Sequence, residues 1–155
     1  MRPAVLLAAV LAASIVAGCG GGGGRLSKSA YRAKLTTLGH EANRAQTDVE
    51  KGLSAKTIGE LHARLVAFAD ASQRLGDEVA ALKAPKDADA ANAELARGEH
   101  DTARATRAAA AAITKLKTPK RAIAYLQTSL GNAKGAHELD DALAKLRKLG
   151  YTKGS

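Results

Sequence analysis

Residues Thr57 to Pro85 read TIGELHARLVAFADASQRLGDEVAALKAP. Apolar or small residues stand at Ile58, Leu61, Leu65, Phe68, Ser72, Leu75, Val79 and Leu82, with spacings that alternate 3 and 4 without a slip. That period is a helical seam, and no alternation of period two competes with it. Both ends are marked. Thr57 and Glu60 have the form of a capping box, in which the hydroxyl accepts one free amide and the carboxylate another. Pro85 restricts Ala84 and stops the helix. Glu60 with Arg64, and Asp70 with Arg74, set an acid four residues before a base on the outer face. Leu65 and Phe68 fall at the middle of the seam and are expected in the core.

A seam needs partners. Upstream, Tyr31, Leu35, Leu38, Ala42, Ala45 and Val49 repeat the heptad spacing. Ser27 or Ser29 suits the cap of this helix, and Gly52 suits the left-handed position after its end. Downstream, a third helix starts near Asp87, with an inward stripe of Ala91, Leu95, Gly98, Thr102, Ala105, Ala109, Ala112 and Leu116. Nearly every knob is small, so this helix must approach its neighbours near the short end of the roughly 8–10 Å range. Thr118-Pro119 opens a fourth segment. In it Ile123, Leu126, Leu130 and Ala133 share one face, while Leu139, Leu143 and Leu146 fall roughly opposite on an ideal helix. Gly131 and Gly135 lie between the two sets. The expected fold is all-α: an antiparallel up-down-up-down four-helix bundle over residues 27–150, its last helix kinked or broken near Gly131–Gly135. Gly150 closes it, and residues 151–155 read as a tail. Alanine is abundant, with one Phe and no Trp, which agrees with a small-residue helical core.

The beginning of the chain carries a different signal. Arg2 precedes an apolar run from Ala4 to Ala17, and Val16-Ala17-Gly18-Cys19 follows, ending on the only cysteine. A charged start, an apolar centre and small residues before a cleavage point read as an export signal over residues 1–18. As a helix the run would cover roughly 21 Å, short of the roughly 30 Å hydrocarbon core, so a membrane span is disfavoured. Val16 to Cys19 resembles the bacterial lipobox. The resemblance implies cleavage after Gly18, acylation of Cys19, and attachment to the extracytoplasmic face of the cell membrane. Two acyl chains and more suffice for stable anchoring. Gly20 to Gly24 then reads as a flexible tether with a mean span of about 12 Å; residues 19–26 are lipidated cysteine plus tether. With a single cysteine, no disulfide is available to staple the fold. The whole chain also resembles, by composition, the small alanine-rich lipoproteins of high-GC bacteria, a likeness that carries over no residue beyond Cys19.

Few residues suggest chemistry. His40, His62, His100 and His137 fall one to a predicted helix, but at different heights. His40 and His100 are expected to face water, and only His137 lies near an inward face. The chain has no Glu-x-x-His or His-Glu-x-x-His pair, which argues against a metal site, and no cofactor is expected. It has no Gly-x-Ser-x-Gly motif, and the glycine run lacks the Lys-Ser/Thr of a phosphate loop. An enzyme is therefore not expected.

Charge is more informative. The formal net charge is +9, and +8 once Arg2 is removed. No acid stands between Asp101 and Glu138, whereas seven bases do. Four of these, Lys115, Lys117, Lys120 and Arg121, crowd the turn between the third and fourth segments. Helix-dipole complementation accounts for Lys115 and Lys117, at a helix C-terminus. It does not account for Lys120 and Arg121, which begin the next helix, where cations are disfavoured. With hardly any aromatic platforms, sequence-specific nucleic-acid binding is not supported. The expectation is a membrane-anchored, non-enzymatic envelope lipoprotein whose basic turn contacts an acidic protein or an anionic envelope polymer. The alternative is a small-ligand or metal-binding accessory bundle. Nothing in the sequence sets an oligomeric state.

Overall fold

The computed structural model describes residues 24–52, 54–131 and 133–152. The proposed export segment, Cys19 and the glycines before Gly24 lie outside the described residues. The described part is all-α. Five helices, α1 (Lys28–Gly52), α2 (Ile58–Ala81), α3 (Asp89–Ile113), α4 (Pro119–Gly131) and α5 (Lys134–Lys148), are joined by turns, with a 3-10 turn at Lys86–Ala88 before α3.

The seam of α2 forms where its period predicts. Leu61, Leu65, Ser72, Leu75 and Val79 are buried. Phe68 departs from expectation. It is half-buried, on the floor of an open groove between α1 and α2. The cause lies in α1, whose large buried residues stop at Leu38; Ala42, Ala45 and Val49 beyond it are only partly covered. Alanines facing alanines leave the ring incompletely roofed. The Thr57 cap is present, with the Glu60 amide donating to Thr57 Oγ1 at 3.1 Å. Glu60, however, accepts from the Lys56 amide at 3.0 Å rather than closing the box on Thr57. The expected outer-face pairs also re-partner across helices. Arg64 donates to the Asp48 carbonyl, and Asp70 pairs with Arg107 of α3 at 2.9 Å.

Gly52 is not left-handed. Among the described glycines only Gly24 and Gly150 have positive φ. Gly52 is the last helical residue of α1, and the Arg64 stem packs directly where a side chain would begin. Its smallness serves a close approach rather than a turn.

α3 is the centre of the fold and touches α2, α4 and α5. The expected stripe covers one side of it. A second stripe, Asn92, Ala96, Ala103, Thr106, Ala110 and Ile113, is also buried, so α3 is covered on more than one face. Against α5 the backbones nearly touch. A side chain at Gly135 would begin 2.6 Å from the Thr102 amide nitrogen and 2.8 Å from the Gly98 carbonyl oxygen. One at Gly98 would begin 3.0 Å from the Leu139 amide nitrogen.

The last segment is broken rather than kinked. α4 ends at Gly131, Ala133 is extended (φ −67°, ψ 133°), and α5 begins at Lys134. The break lets Ala122 and Leu126 bury on one side of it and Ala142 and Leu146 on the other. At the far end of α5, Gly150 (φ 74°) makes the expected stop. Its amide bonds the Arg147 carbonyl and the Tyr151 amide bonds the Leu146 carbonyl, a Schellman closure. Tyr151 does not behave as a tail residue. It is 2% exposed, packs edge-on against Tyr31 with centroids 5.2 Å apart, and donates its hydroxyl to Asp87 at 2.7 Å.

The core is divided in two. One cluster gathers Tyr31, Leu35, Leu38, Leu75, Val79, Leu95, Leu146 and Tyr151. The other gathers Leu61, Leu65, Ala109, Ala110, Ile113, Ala122 and Leu126. Along α2 and α3 the stretch between them carries the buried Ser72 and Thr106 and the partly buried Glu99.

Candidate functional site

The α3–α4 turn is built by local bonds and two apolar anchors. After Ile113 the chain tightens: the Lys115 amide bonds the Ala112 carbonyl at 3.2 Å, and the Leu116 amide bonds the Ile113 carbonyl at 3.0 Å. Thr118 then starts α4, its carbonyl accepting from the Ala122 amide at 3.1 Å and its hydroxyl from the Arg121 amide at 3.4 Å. Ile113 and Ala122 are fully buried beneath the turn, while Leu116 and Ile123 pack partly against the same cluster.

With those residues pinned inward, Lys115, Lys117, Lys120 and Arg121 all turn outward and are exposed. None forms an ion pair with a described residue. This contrasts with other cations of α3 and α5. Arg104 pairs with Asp101, Arg107 with Asp70, and Lys134 with both Asp101 and Glu138. The turn thus presents four positive side chains, two just after the end of one helix and two in the first turn of the next. Such an array can hold polyanions by charge.

The histidines stand apart from one another. His137 is exposed, contrary to its expected inward face. His100, expected to face water, lies with its ring against Gly76 of α2 and bonds Asp77 at 3.0 Å. Gly76 leaves the space that the ring occupies. Among the described residues no group of three or more His, Cys, Asp or Glu is placed to hold a metal ion.

Two features escaped the sequence reading. The first is the groove between α1 and α2, about 710 Å³ in volume, floored by Phe68 and Ala67 and edged by Glu41, Arg44, Arg64 and Arg74. Its sequence signal is that two successive seam positions of α1, Ala42 and Ala45, are small. The second is Glu99, whose carboxyl is pushed up to about 7 by burial, against the opposing effect of a hydrogen bond from Ser72. The second buried stripe of α3 would have found it, since Glu99 stands between Ala96 and Ala103 on that face. At the other end of the molecule, burial raises the Tyr31 hydroxyl to about 12. Among the described residues no helix is long and apolar enough to cross a membrane. No family model, no curated protein and no solved structure matches this chain.

Proposed function

We propose that this chain is a membrane-anchored, non-enzymatic lipoprotein of the cell envelope, held by acylated Cys19 on the extracytoplasmic face. In this reading its helical part is an antiparallel up-down-up-down bundle with α4 and α5 together forming the fourth strut. It contacts an anionic envelope polymer or an acidic protein through the α3–α4 turn. The observation that carries the reading is the cluster of four exposed cations without an ion-pair partner among the described residues. A stretch free of carboxylates from residue 102 to residue 137 surrounds it. The architecture is supported by the bond from the Leu26 amide to the Lys83 carbonyl, 2.8 Å, which brings the start of α1 to the end of α2. The turn stands about 37 Å along α3 from that end, at 1.5 Å per residue over 25 residues. With a Debye length of about 8 Å at physiological salt, it is screened from lipid at the opposite pole.

The test replaces Lys115, Lys117, Lys120 and Arg121 together with Gln. Retention on isolated envelope polymer, or on a crosslinked envelope partner, should fall, and added salt should weaken the wild type in the same way. A quadruple variant that binds as well as the wild type, with no salt dependence, would leave the turn a solvated face. Intact mass of the native protein without acyl addition at Cys19 would remove the anchor. A second reading, an accessory protein for a small ligand, draws on the groove floored by Phe68 and edged by Arg44 and Arg74.

A further inference from the structure

The opposite pole carries a second positive surface. The start of α1, the end of α2, the start of α3 and the end of α5 meet there. The Leu26 amide bonds the Lys83 carbonyl, and Arg25 donates to the Ala84 carbonyl at 2.7 Å and pairs with Asp89 at 2.5 Å. Lys28 donates to the Leu149 carbonyl at 2.8 Å, and Arg32 donates to the Gly150 carbonyl. The bonds of Lys28 and Arg32 fix those two cations without neutralising them, because a carbonyl carries no net charge. Lys28, Arg32, Lys83, Lys86, Arg147 and Lys148 are all exposed at this pole. The carboxylates nearby are Asp89, already paired with Arg25, Asp87, bonded to Tyr151, and Glu78 one turn back in α2. Positive charge dominates.

We infer that this pole is a docking face for the anionic phospholipid headgroups of the membrane that holds the anchor. The inference rests on the proposed anchor for its location. Residue 23 and everything before it join the described chain at Gly24, which lies against the Lys83 side chain at this pole. Cys19 lies five residues before Gly24, and five residues of chain span at most roughly 18 Å. An anchor at Cys19 therefore keeps this pole within about two Debye lengths of the headgroups, each about 8 Å. Each Lys or Arg near an anionic leaflet strengthens association about fivefold. The contact is electrostatic and does not insert. Tyr31 and Tyr151, the aromatic residues of this end, are buried and bonded to Asn92 and Asp87, which leaves no wedge for the acyl region. Docking sets the bundle upright and points the α3–α4 turn away from the membrane.

The full lipidated chain is reconstituted into vesicles of phosphatidylcholine alone, or of phosphatidylcholine mixed with phosphatidylglycerol. Acylation rates of individual lysine amines are read by mass spectrometry. Lys28, Lys83, Lys86 and Lys148 should react at least about fivefold more slowly on the anionic vesicles, and high salt should abolish the protection. Lys115, Lys117 and Lys120 should react alike on both. A variant carrying Lys83→Gln, Lys86→Gln and Lys148→Gln should lose most of the protection at Lys28. Equal rates at the tether pole on both vesicles, or protection shared equally by the two poles, would overturn the inference. Flotation with the phosphatidylcholine vesicles reports the anchor separately. A chain that fails to float there defeats the lipoprotein reading. Salt-sensitive protection of the same lysines by anionic vesicles would still uphold the docking face.

Discussion

The two poles of this molecule are built from the same alanine-rich helices but are closed differently. At the pole where α1 begins, the starts of α1 and α3 and the ends of α2 and α5 are joined by polar bonds between distant parts of the chain. Tyr31 donates to Asn92, Asn92 donates to the Val79 carbonyl, Tyr151 donates to Asp87, and the Tyr31 and Tyr151 rings stack edge to face. At the α3–α4 pole the buried residues are aliphatic: Leu61, Leu65, Ala110, Ile113 and Leu126. The first arrangement fixes geometry by direction as well as by burial. The second relies on burial alone and leaves its cations free of internal bonds. At the α3–α4 turn no cation serves an internal contact among the described residues, so all four are available to a partner.

The sharpest way to break this comparison is to remove the lock. Tyr151→Ala deletes a fully buried ring, its partner on Tyr31 and the bond to Asp87. It should cost about 3–5 kcal/mol in denaturant melts. A cost below about 1 kcal/mol would mean that the last turn adds nothing to the core and that the two poles are equivalent.

The region between the clusters supplies the second test. Glu99 has its carboxyl raised from 4.5 to about 7 by burial. The folded state therefore holds a proton that the unfolded state has lost between these values. The contribution of Glu99 to stability should be fully present below about pH 4.5 and be lost as pH rises to about 7, on the order of 3 kcal/mol in total. Glu99→Gln should flatten that slope, with melts across the range as the measurement. An unchanged slope in the variant would show that Glu99 is solvated and that the two clusters are not separated by a titrating group.

Gly135→Ala probes the contact that holds the last helix to α3. Its new methyl would meet the Thr102 and Gly98 backbones, which have no rotamer to yield, so overpacking should cost about 1–3 kcal/mol. Gly131, with nothing within 4 Å, is the control, and its alanine variant should differ little. If both variants melt alike, the close approach of α3 and α5 is wrong. The smallest effect is expected at the basic turn. Each Gln replacement there should change stability by less than about 0.5 kcal/mol while binding is lost. A large loss of stability would place those cations in the structural framework instead.

Much of this was legible in the sequence because helical periodicity is local. The α2 seam, the start of α4 at Thr118-Pro119, the interruption between Gly131 and Gly135 and the stop at Gly150 all follow from spacing and from the backbone preferences of Pro and Gly. The crowding of Lys115, Lys117, Lys120 and Arg121 at one turn was legible too, since the four stand within seven residues around Pro119. Other features depended on what lies across the gap. Phe68 sits in a perfect seam position, yet its cover depends on the size of residues in α1, a helix its own period says nothing about. Gly52 read as a left-handed helix stop, and only the Arg64 stem across the gap showed that its smallness serves a close approach. Tyr151 follows a helix stop and reads as an end; the Schellman closure turns it back beneath Tyr31. Asp70 had Arg74 four residues away and took Arg107 from another helix. The sequence by itself determined which segments are helical, where they stop and where charge accumulates, because these depend on neighbours within about one turn. The tertiary structure alone decided that a second face of α3 is covered as well as the first, which glycine admits a neighbouring helix and which charges are left without partners among the described residues. Those depend on side chains brought together from distant parts of the chain.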